Sequence, residues 1–283
     1  MKILYVAELV GKAGIYALKK VLPSLKKERG IHFTMVCADS ATGGIGLGRH
    51  HAGYIHKLGA DVITTGDRCF YKKDMVENWV PYVLRPANLG GPDPNAGEKD
   101  RPPGSGWRVF KAAADAEGGR AGDGPPKAAK VAAAVLLGAN FIRLRADNPF
   151  TKLAPLLEKL RSFTPFVVLD FHAWATGEKR TLFFAAAGSC TAVIGSHCRV
   201  QTADEEIMDG TAVICDAGRT GSAESVGGND IASKINEYRT GIPDWTKEAW
   251  DKCEFQGVII EADKQGRASS IERIKIPVPP ESH

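Results

Sequence analysis

Five short stretches of this chain end an apolar run in side chains that can hold a cation or an anion. They deliver Glu8, Asp39 with Ser40, Asp67 with Arg68, Asp170 with His172, and His197 with Arg199. Carboxylate oxygen and imidazole nitrogen are ligands for divalent metals, and a site needs several of them from separate parts of the chain. Guanidinium does different chemistry. It stays protonated, offers only donors, and grips phosphate or carboxylate through paired N–H bonds. His197-Cys198-Arg199 sets the two chemistries side by side. A second imidazole at 199 would complete a His-x-His metal pair, whereas arginine cannot ligate a metal. Each stretch alone reads first as a strand-end cap or turn, or as a hydrogen-bonded structural residue. Together they point to one site, because the ends of neighbouring parallel strands converge in space.

The elements around these residues alternate. Residues 2–9, 31–40 and 61–68 read as strands ending in polar side chains. Residues 13–28, interrupted by Pro23, and 47–59 have helical spacing. That βαβαβ rhythm places the polar ends along the carboxyl edge of a sheet. Further on, 149–163 is an amphipathic helix, and 166–173, 191–197 and 211–218 are buried strands ending in Asp, His or Gly. Residues 257–276 form a closing hairpin. Residues 128–146 are alanine-rich, but their Val, Leu and Ile content after a Gly/Pro loop suits strands. The stretches 89–106 and 115–128 are rich in Gly and Pro and read as exposed loops around a strand at 107–114. With no repeat or linker, residues 1–283 are expected to form a single domain.

Composition narrows the function classes. The chain has 283 residues, 43% of them hydrophobic, enough for one large α/β domain. Its net charge of +4 comes from scattered Lys and Arg, with no stripe that would mark nucleic-acid binding. No apolar run approaches the ~18 residues of a membrane span, and the start lacks the pattern of a secretory signal. The six cysteines show no C-x-x-C and read as reduced thiols of a cytoplasmic protein. Cys69 and Cys198 adjoin the site but are expected as small buried side chains. Strand alternation would turn Cys198 away from the face of His197.

Longer words run through the chain: VGKAG (10–14), GGIG (43–46), TTGDRCFYKKD (64–74), LRPAN (84–88), DNPF (147–150), DFHAWATGEK (170–179), GSHCRVQTADE (195–205) and DAGRTG (216–221). With these in this order, the chain resembles the YmdB-like branch of the calcineurin-like metallophosphoesterases over nearly its whole length. The resemblance implies a four-layer α/β/β/α sandwich, phosphodiesterase chemistry on 2′,3′-cyclic AMP, a pair of divalent metals, and a homo-oligomer. The site words depart from the family. It has Asp at Glu8, Glu-Asn at Asp39-Ser40, Gly-Asn-His at Gly66-Asp67-Arg68, and His-Thr-His at His197-Cys198-Arg199. It shares His172.

These departures have physical consequences. Carried over by resemblance, one metal would be held at positions 8, 39 and 199, where Arg199 now repels a cation. The other would be held by Asp39, Asp67, His172 and His197, all still able to ligate. Asp39, however, is one methylene shorter than the family's Glu, about 1.5 Å. Arg68 stands where the family has its general-acid histidine; with Ser40 it can hold an anion but cannot give up a proton near neutral pH. The expectation is therefore at most one divalent ion (Mn, Fe, Zn or Mg) in an eroded dinuclear site. The protein would be catalytically impaired or inactive, with a binding or structural role. An active one-metal phosphodiesterase or phosphatase is the alternative, and a sensor whose Arg68 and Arg199 read a phosphate or nucleotide is a third reading. No protein partner is assigned. If Arg199 replaces the lost cation's charge, its guanidinium must reach Glu8 or Asp39.

Overall fold

Ile3 and Tyr5 point to one face of the first strand and Leu4 and Val6 to the other, and all four are fully buried. A strand buried on both faces belongs to a sheet covered on both sides, and that pattern organises the whole computed structural model. It describes residues 1–89, 102–113, 129–243 and 247–279. In chain order the strands are β1 (Lys2–Val6), β2 (Glu8–Leu9), β3 (Phe33–Cys37), β4 (Val62–Thr64), β5 (Val83–Leu84), β6 (Trp107–Lys111), β7 (Lys130–Leu137), β8 (Val167–His172), β9 (Ala192–Ser196), β10 (Glu206–Met208), β11 (Thr211–Ile214), β12 (Arg219–Ser222), β13 (Cys253–Ala262) and β14 (Ala268–Pro277). The helices are α1 (Gly11–Arg29), α2 (Arg49–Lys57), α3 (Lys73–Glu77), α4 (Pro149–Arg161), α5 (Thr176–Ala186) and α6 (Ile231–Thr240).

One sheet has the order β2-β12-β13-β1-β3-β4-β5, with β14 added on β13; the other is β10-β11-β9-β8-β7-β6. In the first, β1, β3, β4 and β5 run parallel. In the second, β7, β8, β9 and β11 do. Apolar side chains from both sheets meet between them, among them Tyr5, Phe33 and Met35 against Val135, Val168 and Ile194. The outer face of the first sheet is covered by α1 and α2 through residues such as Leu18, Leu22 and Ile55. The outer face of the second is covered by α4 and α5 through Leu157, Leu160, Leu182 and Phe183. The layers are thus α/β/β/α, as the resemblance implied.

Several boundaries move. Helix α1 runs unbroken through Pro23. Pro23 is exposed while Val21, Leu22 and Leu25 are buried, so the missing hydrogen bond falls on the solvent side and packing outweighs a penalty of about 3 kcal/mol. Of residues 128–146, those described (129–146) give one strand, β7, followed by a loop. Helices α5 and α6 were not expected from the sequence. The loop at 115–128, and residues 90–101 of the loop at 89–106, lie outside the described residues. All six cysteines are free thiols. Among the described residues, no helix is long and apolar enough to cross a membrane.

A buried polar group sits in the largely apolar layer between the sheets. Asp170 of β8 accepts hydrogen bonds from Tyr5 of β1 (2.8 Å) and Thr64 of β4 (2.5 Å), and from Ser196 of β9 (2.7 Å). Two of these bonds cross from sheet to sheet. Burial pushes the Asp170 carboxyl up, while His172 and the Thr64, Ser196 and Tyr5 hydroxyls pull against that. Tyr5→Phe, which removes one bridge and leaves the ring in place, should lower unfolding stability in urea by about 1–3 kcal/mol. A change within error would show that the bridge is dispensable.

Candidate metal centre

Parallel strands from both sheets bring their carboxyl ends to one edge. Asp39 follows β3, Asp67 follows β4, His172 ends β8 and His197 follows β9. Asp67, His172 and His197 each offer a ligand atom there, all within 4.8 Å of one another. His172 Nε2 lies 3.2 Å from Asp67 Oδ1 and 2.8 Å from His197 Nδ1, and the latter two atoms are 3.6 Å apart. Gly66 permits this approach, since a Cβ there would meet the His172 ring at 2.2 Å.

The donor set fits a divalent cation. Ligands bound at about 2.0–2.2 Å around a tetrahedral ion lie roughly 3–3.5 Å from each other, close to the spacings observed. The second nitrogen of His172 is also fixed. Ser196 donates to Asp170, so its hydroxyl oxygen accepts from His172 Nδ1 at 3.0 Å. That pins the ring and leaves Nε2 facing the cluster, the outer-shell arrangement metal-ligating histidines use. Without a cation, burial alone would push His172 down, but the Asp67 hydrogen bond and the Asp39 and Glu8 carboxylates lift it to about 9. Burial and the His172 charge push His197 down to about 3. Positive charge is thus welcome at His172 Nε2, and a metal binding there must displace a proton.

Asp39 stands apart from the other three ligands. Its Oδ2 is 3.7 Å from His172 Nε2. Its oxygens accept from backbone N–H groups, Oδ1 from Gly66 at 2.6 Å and Oδ2 from Arg68 at 3.1 Å. The shorter side chain is anchored to the Gly66–Arg68 turn beside the cluster. Burial holds Asp39 above the usual carboxylate range, with Asp67 and Glu8 adding repulsion.

The other half of the site is an ion pair. Arg199 donates from Nε (3.2 Å) and Nη2 (3.0 Å) to Glu8 Oε1, and from Nη1 to Gly227 O at 2.8 Å. The guanidinium reaches Glu8 rather than Asp39. Glu8 is 1% exposed. Burial would raise its pKa, but Arg199 first, then His172 and His197, pull it down to about 2. Ser40 Oγ accepts from Arg199 Nη2 and from Arg68 Nη1, the latter at 3.2 Å. Arg68 Nη1 also donates to Gly44 O at 3.3 Å. One hydroxyl therefore gathers both guanidinium groups. Asp170, grouped in the sequence with His172, is absent from the ligand cluster because it faces between the sheets.

His197 and Arg199 both adopt the left-handed backbone region, φ 95° and 61°, which costs energy for non-glycine residues. Between them Cys198 turns away from the cluster, as expected, though through this strained turn and not strand alternation. It is only half-buried, with its Sγ 3.5 Å from the buried Lys179 Nζ and 3.2 Å from Trp174 O. Lys179 pairs with Asp216 at 3.0 Å, and Asp216 accepts from Cys198 N at 2.8 Å, so a buried ion pair braces the turn. Sequence reasoning missed Ser196, whose role shows only across β8 and β9. It also missed Trp174, which packs edge-to-face on His197 with ring centroids 4.3 Å apart.

The chain is similar to known proteins over nearly its whole length. A profile of the family described as YmdB-like protein matches residues 4–274. A 2′,3′-cyclic-nucleotide 2′-phosphodiesterase of Bacillus subtilis (strain 168) is 33% identical over 280 residues, spanning 98% of this chain and 97% of its own. The crystal structure of a novel phosphatase from Mycoplasma pneumoniae covers 99% of this chain and 95% of that one, with TM-score 0.84 and 26% identity. A hypothetical protein from Thermus thermophilus covers 99% and 100%, with TM-score 0.82; its 24% identity speaks for the fold alone.

The buried pair generates a stability prediction. Arg199→Ala strands the Glu8 carboxylate and should cost about 3–5 kcal/mol at pH 7. Adding Glu8→Gln should recover part of that. The folded pKa of Glu8, about 2, lies below its ordinary 4.5, so the pair's contribution is complete above pH 4.5 and fades as pH falls through 2. Urea unfolding of wild type and Arg199→Ala should therefore converge on acidification. Equal stabilities at pH 7 would show that the pair does not hold the fold.

Proposed function

The chain belongs to the YmdB-like protein family, and from that premise we propose that it binds phosphate esters at a one-metal centre and hydrolyses them far more slowly than relatives with two metals. Asp67, His172 and His197 hold the cation. When bound, the cation polarises a phosphoryl oxygen and offsets its negative charge. Arg199 and Arg68 add guanidinium charge around Ser40, and Arg68 offers N–H donors to the phosphate. The observation that carries the reading is the Arg199 guanidinium on Glu8. A fixed positive charge on that carboxylate repels a second cation and takes up its Oε1.

Chemistry at this centre is short of two contributions. Arg68 balances charge but cannot donate a proton at neutral pH, an effect worth about 10²–10⁴-fold elsewhere. A second metal would supply several kcal/mol more. An active one-metal phosphodiesterase or phosphatase is the second reading, favoured by the intact Asp170–Ser196–His172 support. The activity of the Bacillus subtilis relative makes 2′,3′-cyclic AMP the first ligand to test. The six free thiols support a reducing, cytoplasmic setting.

Protein purified without chelators should carry no more than one divalent ion per chain by elemental analysis, and His172→Ala should remove it. Turnover of 2′,3′-cyclic AMP with added Mn²⁺ should fall at least about 100-fold below that of the Bacillus subtilis relative assayed alongside. Arg68→His alone should not restore it, whereas Arg199→His with Glu8→Asp should raise metal content toward two. Two tightly held ions in the wild type, or matched turnover, would overturn the reading.

A further inference from the structure

Folding does not account for two aromatic side chains on the loops that follow β7 and β8. Trp174 lies two residues beyond His172 and is 47% exposed, with the rest of its ring against His197. Phe141, on the loop after β7, is 84% exposed and has a left-handed backbone, φ 62°. A ring left in water contributes little to stability, and that backbone conformation adds a cost for a bulky side chain. Such outliers gather where a ligand is held.

The two loops are fastened to each other. Gly138 N donates to His172 O at 2.9 Å. The buried Glu178, near the start of α5, accepts from Ala139 N at 2.6 Å and Asn140 N at 3.4 Å. Phe141 is thus tethered next to the segment that carries Trp174. Nor do these loops form a continuous apolar patch fit for a protein partner, because Arg143 and Arg145, both exposed, follow Phe141. A half-exposed ring packed on an imidazole of the metal cluster suits a ligand that has a planar ring at one end and an anion at the other.

His197 links the two requirements. Its Nδ1 belongs to the metal cluster, and its ring packs against the Trp174 indole. A phosphate drawn to the cluster therefore places its ester group beside an exposed indole. Resting on the phosphate-ester reading above, we propose that Trp174 is a specificity-determining residue: a stacking platform that selects phosphate esters carrying a planar ring, nucleobase or aryl.

The test is a set of affinities measured by calorimetry on Mn²⁺-loaded full-length protein. The ligands are inorganic phosphate, ribose 5-phosphate, phenyl phosphate and adenosine 2′-monophosphate. Wild type should bind adenosine 2′-monophosphate about tenfold or more tightly than ribose 5-phosphate. That ratio should fall to near one in Trp174→Ala and persist largely in Trp174→Phe, which keeps a ring. A preference shared by phenyl phosphate assigns the platform to any planar ring; one confined to the nucleotide assigns it to the base. A wild-type ratio near one, or a ratio that survives Trp174→Ala, overturns the proposal while leaving the phosphate site standing. Failure of all four ligands to bind overturns the phosphate-ester reading itself.

Discussion

Asp170 has no access to water and lies between two sheets that meet largely through apolar side chains. A carboxylate in that position is tolerable only if its oxygens are hydrogen-bonded. Tyr5 and Thr64 supply bonds from one sheet and Ser196 from the other. The requirement fixes more than the carboxylate. It sets how β1 and β4 lie across β8 and β9, and it turns the Ser196 hydroxyl so that its oxygen accepts from His172. The orientation of the metal-facing imidazole is therefore a consequence of how the two sheets are joined.

Charge balance governs the open end of the same layer. Glu8, Asp39 and Asp67 are carboxylates at neighbouring strand ends, and each meets the cost of its burial differently. Asp39 takes two backbone N–H groups, Asp67 takes the His172 imidazole, and Glu8 takes a guanidinium. Of these partners the guanidinium alone carries a charge that no pH in the working range removes. That permanence separates the two halves of the site. The His172 side can exchange a proton for a metal, and the Arg199 side cannot.

Much of this was legible in the sequence because it follows from period and position. Apolar runs ending in polar residues located the strand ends, and the resemblance of the scaffold words gave the layers. The arginine at 199 led to a carboxylate partner because a buried guanidinium needs one, and Glu8 was within the pair named. What was not legible depends on contacts between distant segments. Ser196 looks like an ordinary strand-end serine until β8 and β9 pair. The one-methylene deficit of Asp39 was readable as a length, but its resolution through the Gly66 and Arg68 amides needed coordinates. Pro23 misled because local propensity is blind to which side of α1 faces solvent. Helix α6 buries none of its side chains, so no tertiary packing marks its apolar residues as a core face.

Where polar atoms stay unsatisfied is as informative as where they pair. Among the described residues, four buried side-chain atoms have no hydrogen-bond partner: Thr34 Oγ1, Glu205 Oε2, Glu8 Oε2 and His197 Nε2. The last two belong to the site. Such an atom costs about 1–3 kcal/mol, and Glu8 and His197 bear it in a region where Asp170, Asp39 and Asp216 are each given several donors. The strained turn at His197 and Arg199 adds a backbone cost at the same place. Neither cost is confined to the site, since Thr34 and Glu205 also carry unpaired atoms and Asp209 and Lys252 also adopt the left-handed backbone. His197 differs in carrying both at once. A backbone strain and an unpaired ring nitrogen on a single residue beside the cluster are a cost that a group pairing with that nitrogen would partly offset.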